Sequence, residues 1–487
     1  MKRLFQNWKL ILLGLAFAML LFSLISSTSV VKPDRSLPTA PINLRAVTVT
    51  EKSVALAWNP STDNVGVVAY NIYRDSVYIG KSNTSTFTAS GLTPSKSYKF
   101  YVRAKDAAGN LSNSSNLLTV TTSTIPIPAP TPTPVIKTTK MVGYYAAWAA
   151  YSGYTPDKVD ASKLTHINYA FANIGSDLKI ALGYPDVDSS NISKLNTLKQ
   201  SNPNLKTLIS VGGWDGSGKF SDVALTETSR TTFADSCVNF IVKYGFNGID
   251  IDWEYPVSGG VSTNIKRPED KQNFTLLLKK LREKLNARSL LDGKQYLLTI
   301  AGGDGSWYVN NTELDIIHQY LDYGNIMTYD IHGTWDVYTD FNAPLYNNND
   351  ISAQDKWSVD SSVNAWLKAG FPVEKLVVGV PFYGYKYNSV KNANNGLYQT
   401  FSGGSSISYS NIAANYLNSA GYVRYFRQQS MVPWLFNGST FISYEDEQSI
   451  GYKAQYIKSK GFGGAAIWEL SQDPNRVLLG ALYKGLQ

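Results

Sequence analysis

Phe246-Asn247-Gly248-Ile249-Asp250-Ile251-Asp252-Trp253-Glu254-Tyr255-Pro256 decides how the chain is read. Asp250, Asp252 and Glu254 alternate with Ile249, Ile251 and Trp253. In a β-strand, alternate side chains share a face, so the three acids point one way and the apolar residues the other. Successive acids then lie roughly 6.6 Å apart along the strand. Carboxylates held among Ile and Trp are costly, and sites that accept the cost use them for acid–base chemistry or to hold a hard cation.

Working outward, 487 residues exceed one typical domain, and two or three are expected. Aromatic residues make up 13 % of the chain, an excess that serves either core packing or stacking on flat ligands. The net charge of +8 is modest for this length, and Lys and Arg are scattered. No basic stripe of the kind that tracks nucleic acid is present. One cysteine, Cys237, excludes an intrachain disulfide, and its apolar helical surroundings mark it as core. With three His and one Cys, nothing calls for a His/Cys metal centre, and no cofactor or metal is expected.

The N-terminus has the pattern of an export signal over residues 1–29. Lys2, Arg3 and Lys9 precede an apolar run from Leu10 to Ile25. The rest of the chain is therefore expected outside the cell, with no stable membrane partner unless this segment is kept as an anchor. A monomer is expected. Residues 38–124 carry short alternating runs such as Ser53–Trp58, Ala69–Arg74 and Tyr98–Ala104, separated by turn residues. That spacing predicts an all-β sandwich. Pro41, Trp58, Gly91-Leu92-Thr93-Pro94 before Tyr98, and Val102-Arg103-Ala104 resemble a fibronectin type III domain, which implies a core role for Trp58. Residues 125–138 are a Pro-rich linker, whose alternating prolines favour an extended spacer.

From 139 to 487, apolar strand-like runs alternate with helical patterns. The strand candidates are Met141–Tyr145, His166–Phe171, Thr207–Val211, Gly248–Trp253, Tyr296–Ala301, Asn325–Tyr329, Leu376–Pro381 and Gly464–Trp468. Helices are predicted at Thr228–Tyr244, Pro268–Leu285, Val359–Ala369 and Glu445–Lys460. Eight strands alternating with helices predict an α/β fold, a parallel (β/α)8 TIM barrel. Residues 384–440 break the rhythm and read as a small α+β insertion. Strand ends in such a barrel build the site. Here they carry Tyr145 and Trp148, Phe171, Trp214, the three acids with Tyr255, Met327 with Tyr329 and Asp330, Tyr383, and Trp468. The set is aromatic and acidic, which suits a neutral, hydroxyl-rich ligand better than a phosphate. Tyr145, Phe171, Trp148, Trp214 and Tyr383 could each line a cleft or simply pack. Trp335 and Trp434 could stack outer sugars or be structural.

Asn247-Gly248-Ile249-Asp250-Ile251-Asp252-Trp253-Glu254 resembles the D-G-x-D-x-D-x-E signature of family 18 glycoside hydrolases, the chitinases. Ser210-Val211-Gly212-Gly213 is similar to their S-x-G-G, and Met327-Thr328-Tyr329-Asp330 to their M-x-Y-D; Trp468 stands where the family keeps a Trp. Asn247 departs from the signature's first Asp, outside the three-acid set. The resemblance implies a retaining hydrolase of β-1,4-linked N-acetylglucosamine whose nucleophile is the substrate's own acetamido oxygen. It assigns Glu254 as general acid and then base, Asp252 as stabiliser of an oxazolinium ion, and Asp250 as the carboxylate sharing a proton with Asp252. It further implies that Tyr329 bonds the acetamido group, Asp330 a sugar hydroxyl, and that Trp468 forms the floor of the site. Met327 and Tyr255 belong to the expected substrate-binding set. Chitin or chitooligosaccharide is the implied partner. An endo-β-N-acetylglucosaminidase using the same acids is the alternative, and a non-catalytic lectin is disfavoured because Glu254 is present.

Overall fold

The computed structural model describes residues 34–123, 139–347 and 357–487. The export signal and the Pro-rich linker expected from the sequence lie outside the described residues. The chain divides into two units, Met1–Val135 and Ile136–Gln487.

In the first unit, Ile42–Val49, Ser53–Asn59 and Thr86–Ser90 form a three-stranded antiparallel sheet. Val67–Arg74, Val77–Ser82, Ser97–Asp106 and Leu118–Thr121 form a four-stranded one. Ser97–Asp106 shows why: its side chains alternate between buried and more exposed along its length, the period-two pattern of a strand with one face on a core. That core holds Trp58, Ile72, Phe100 and Val102, with Trp58 edge-on to Tyr70.

The second unit is the barrel. Its strands are β1 (Lys140–Ala146), β2 (His166–Ile174), β3 (Lys206–Gly212), β4 (Gly248–Asp252), β5 (Leu297–Gly303), β6 (Tyr323–Met327), β7 (Leu376–Pro381) and β8 (Gly464–Trp468). Neighbours pair in parallel in chain order, and β8 pairs with β1, and β1 with β2, to close the ring. Alternation sorts the side chains. Ile249, Ile251, Leu298 and Ile300 pack outward under the helices, while Val142, Tyr144, Ala301, Tyr323, Val377 and Ala466 fill the interior.

The four predicted helices are present as Glu227–Tyr244, Asp270–Asp292, Val359–Lys368 and Glu447–Lys460. The first starts at a capping box between Thr226 and Ser229 and stops at Gly245 in the left-handed conformation. A further helix, Pro185–Ser201, begins with Pro in its first turn and buries Asp188 and Asn191 beside Ile192 and Leu195. Between β7 and β8, strands from Tyr383–Tyr387 to Phe441–Ser443 form a five-stranded antiparallel sheet, joined by the helix Tyr409–Asn415. This insertion has a core of Tyr387, Phe436 and Phe441, joined by Phe341 from the loop after β6. No helix of the described residues is long and apolar enough to cross a membrane.

Candidate active site

Strand register builds the site from below. Ser210 on β3 and Thr299 on β5 are the Cα partners of Asp250 on β4, so all three side chains point into the barrel at one level. Asp250 is fully buried. Its Oδ2 accepts from Tyr144 at 2.9 Å and Ser210 at 2.8 Å, and its Oδ1 accepts from Thr299 at 2.6 Å. Burial raises its pKa and these donors counter the shift. Asn325 Nδ2 donates to the Tyr144 hydroxyl, extending the cradle to β6.

One layer up, Asp252 is buried, and its Oδ1 has no hydrogen-bond partner in the protein. Burial, then the charges of Glu254 and Asp250, hold its pKa well above the usual carboxylate range. The S-x-G-G segment fixes its backbone: Gly213 N–H donates to the Asp252 carbonyl at 2.9 Å. Gly212 and Gly213 have φ of +108° and +75°. A Cβ on Gly212 would meet the Asp252 carbonyl oxygen at 2.2 Å, and one on Gly213 would meet the Phe171 ring at 2.5 Å. Both positions thus need glycine for close approach as well as for conformation.

Glu254 lies just beyond the end of β4. Its N–H donates to Ser217 Oγ, and its carbonyl accepts from Asn264. The side chain is nearly buried, and its pKa is pushed up to about 7, first by burial and then by the charges of Asp330 and Asp215, against a hydrogen bond to Tyr255. A carboxylic acid that keeps its proton near neutrality can deliver it to a leaving group. Tyr329 is likewise pushed up by burial and the Asp252 carboxylate, so its hydroxyl stays protonated as a donor.

The walls are aromatic. Trp468, at the end of β8, stacks near-parallel on Phe171 with ring centroids 5.7 Å apart, and Trp148 and Tyr144 pack tilted beside it. Met327 joins this group at the end of β6. Tyr383 and Tyr385 of the insertion donate to Asp330 Oδ1 at 2.5 and 2.6 Å, orienting it from the insertion's side. Asp330, Tyr383, Tyr385, Trp468 and Gln472, with Ser406 to Ser408, line a hollow of about 310 Å³. Tyr255 packs edge-on against Trp307 across the mouth of β5, and Trp214 is exposed on the loop after β3.

One expected substrate-binding residue needs correction. Tyr145 does not reach the cleft. It is buried outside the barrel ring, stacks on Tyr169, and donates to the Tyr154 carbonyl. Strand parity puts Tyr144 inside instead, and it is Tyr144 that bonds Asp250. Trp434 is core of the insertion, with its Nε1–H on the Asn395 carbonyl, whereas Trp335 is exposed. Asn247, the departure from the signature, accepts from Thr207 N–H at the base of the barrel, far down the strand from the acids. Sequence reasoning missed Tyr144, Thr299, Asn325, Ser217, Asp215 and Tyr385. For Thr299 and Asn325 a signal existed: each is a polar residue set among the apolar positions of a barrel strand.

A closed parallel barrel with a buried line of acids opening onto an aromatic floor defines a glycosidase-type site. The chain matches the glycosyl hydrolases family 18 over residues 140–473 and the fibronectin type III domain over residues 39–121. It belongs to glycosyl hydrolase family 18. Among relatives, it is 46 % identical over 407 residues to Chitinase A1 of Niallia circulans, covering 71 % of this chain and 58 % of that protein. The chain thus spans little more than half the length of that relative. Among solved structures, Chitinase ChiA74 from Bacillus thuringiensis is 40 % identical with a TM-score of 0.68, covering 72 % of this chain and 70 % of that one. A family 18 N-acetylglucosaminidase from Paenibacillus barengoltzii is 39 % identical with a TM-score of 0.66, covering 72 % of this chain and all of that one.

Proposed function

We propose that the protein hydrolyses β-1,4-linked N-acetylglucosamine in chitin and chitooligosaccharides, with retention, using the sugar's own acetamido oxygen as nucleophile. The observation that carries this reading is the orphaned Oδ1 of Asp252, buried between a protonated Glu254 and the Asp250 cradle. A buried carboxylate oxygen without a donor is costly, and an acetamido N–H entering from the cleft would satisfy it. In this mechanism Glu254 protonates the glycosidic oxygen while the acetamido oxygen attacks the anomeric carbon. The C–O bond to the leaving sugar breaks, and a cyclic oxazolinium forms. Asp252 accepts the N–H and balances the positive charge, and the proton shared between Asp250 and Asp252 adjusts as that charge grows. Tyr329 donates to the acetamido group, Asp330 binds a sugar hydroxyl, and the sugar rests on Trp468. Glu254, now ionised, takes a proton from water, which opens the ring with retained configuration.

Phe171, Trp148, Met327, Tyr255, Tyr383 and the exposed Trp214 extend the sugar-binding surface in this reading. The enzyme acts outside the cell as a monomer, exported by the segment at 1–29, with no nucleic-acid partner and no membrane partner once that segment is removed. Glu254→Gln abolishes hydrolysis of the N-acetylglucosamine hexamer while the hexamer still quenches tryptophan fluorescence. Turnover above roughly a hundredth of the parent rate contradicts the acid assignment. The likeness to an N-acetylglucosaminidase supports a second reading, stepwise release of monosaccharide. A product time course on the hexamer separates the two: dimers and trimers early for the first, monomer from the outset for the second. Cleavage of a glycoprotein in preference to the hexamer would instead favour an endo-β-N-acetylglucosaminidase.

A further inference from the structure

The barrel interior holds polar atoms around Asp250 that its cradle of hydroxyls leaves unused. Asn168 on β2 is the Cα partner of Tyr144 on β1 and of Leu208 on β3, so its side chain points inward at the level of Tyr144. Asn325 and Tyr323 stand on β6, the strand opposite β2 in the eight-strand ring. Asn168 and Tyr323 are fully buried, and Asn325 is 2 % exposed. Asn168 Nδ2 and Oδ1, Asn325 Oδ1 and the Tyr323 hydroxyl have no hydrogen-bond partner among the described residues.

A buried amide with its donor and acceptor both idle is costly, and protein interiors relieve that cost with ordered water making about three hydrogen bonds. These atoms converge where such water has partners. Asn168 faces the Asp250 carboxylate and the Tyr144 hydroxyl without an aligned bond to either, and it favours the charged form of both. Tyr323 also feels the Asp250 charge. Val142, Ala301, Val377 and Ala466 fill the surrounding interior with apolar groups that offer no alternative partner. His166 packs edge-on to Tyr323 with ring centroids 5.2 Å apart, and the Lys140 ammonium lies over the same ring. The His166 pKa is pushed down to about 3, by burial and then by the charges of Lys140 and Lys206, so this ring is neutral at working pH. The titratable groups that face Asp250 are Tyr144, Tyr323, Tyr329 and Asp252. Burial pushes all three phenols well up, which keeps them protonated and leaves Asp252 to titrate with Asp250. β3 and β5 turn only the Ser210 and Thr299 hydroxyls toward it.

We propose that Asn168, Asn325 and Tyr323 hold an enclosed water cluster beside Asp250, and that Asn168, directly and through this water, sets the pH at which the Asp250–Asp252 pair takes up its second proton. Asn168 is then a positioning residue that touches no substrate. The inference rests on the reading of Asp250 and Asp252 as a proton-sharing pair. An amide or water donor to a carboxylate is stronger than one between neutral groups, so its loss falls on the charged form of Asp250. The pair without Asn168 takes its second proton at higher pH.

A high-resolution crystal structure of the full chain reads the water directly and needs no activity. Density for ordered water bonded to Asn168 and to the Tyr323 hydroxyl is expected. The pH dependence of kcat/KM on the N-acetylglucosamine hexamer reads the charge. Asn168→Leu is similar in shape but lacks the amide, and its acid limb moves up by about one pH unit or more. KM at the pH optimum stays within about twofold of the parent, and the alkaline limb set by Glu254 stays in place. Asn168→Ser keeps a hydroxyl and leaves room for a further water, which holds the acid limb within about half a unit of the parent. Tyr323→Phe keeps the test open where Asn168→Leu does not fold. Losing a water-bound hydroxyl lowers its urea midpoint, whereas losing an idle one leaves the midpoint unchanged or raises it. A merely structural Asn168 predicts slower hydrolysis by Asn168→Leu at every pH with both limbs in place. That outcome, density without water at Asn168, or a Tyr323→Phe midpoint at or above the parent's overturns the proposal. A parent that does not hydrolyse the hexamer overturns the chitinase reading instead, and the density and the urea midpoints then decide the water on their own.

Discussion

Gly212→Ala couples the fold to the acids more directly than any other single change. At φ +108° an added Cβ would sit 2.2 Å from the Asp252 carbonyl oxygen and 2.6 Å from the Phe220 ring. The carbonyl needs ~0.8 Å of retreat to reach even the shortest tolerated contact. That carbonyl is held by Gly213 N–H and accepts from Ser217 Oγ, so its movement pulls on the S-x-G-G turn and on Asp252 together. Backbone strain costs about 1–2 kcal/mol and overpacking about 1–3 kcal/mol, for a loss of roughly 2–5 kcal/mol in stability. In the proposed mechanism, a displacement of nearly 1 Å at Asp252 lowers kcat/KM about 100-fold. Urea unfolding and initial rates on the hexamer measure both effects. Gly451→Ala is the control, since nothing lies within 4 Å of its added Cβ and it sits in a helix, where Ala gains up to about 1 kcal/mol. If Gly212→Ala proves as stable and active as Gly451→Ala, the role given to the two glycines is wrong.

Three other outcomes follow from the charges. If Glu254 acts protonated, as proposed, kcat/KM falls as pH rises through about 7, and a pH–rate profile flat to pH 9 would remove its acid role. The same raised pKa costs stability. Protonated Glu254 is favoured in the folded state below its unfolded value near 4.5, and that contribution is lost as pH rises through about 7. Glu254→Gln therefore gains on the parent by up to about 3 kcal/mol between those limits, seen as a widening gap in urea midpoints; a constant gap contradicts it. Lys453 donates to Glu445 at 2.5 Å and to the Ala343 carbonyl at 2.8 Å in a fully buried setting. Lys453→Met leaves that carboxylate unpaired and costs about 3–5 kcal/mol, and an unchanged unfolding midpoint would refute the pairing's importance.

Much of the barrel could be read because parallel strands buried on both faces are largely continuous apolar runs, whereas β4 stands out by the alternation of its acids with Ile249 and Ile251. Helix Pro185–Ser201 escaped because its buried face uses Asp188 and Asn191, polar residues satisfied by Tyr169 and a backbone carbonyl from another segment. The acids were legible because alternation is local. The Asp250 cradle was not, because which residues of β3 and β5 lie level with it depends on the barrel's register, a long-range property. Tyr144 and Tyr145 illustrate the limit: two adjacent tyrosines differ only in parity, and one residue of phase separates the site from the outer core. Asp330 is similar, since the tyrosines that orient it come from an insertion more than fifty residues away.

Proton NMR of the N-acetylglucosamine hexamer during the first minutes of hydrolysis tests the chemistry most directly. Attack by the acetamido oxygen, followed by water from the same face, releases the new reducing end as the β anomer, with the α anomer growing in only by mutarotation. Appearance of the α anomer first would mean direct displacement by water, and the proposed roles of Asp252 and Glu254 would fall with it.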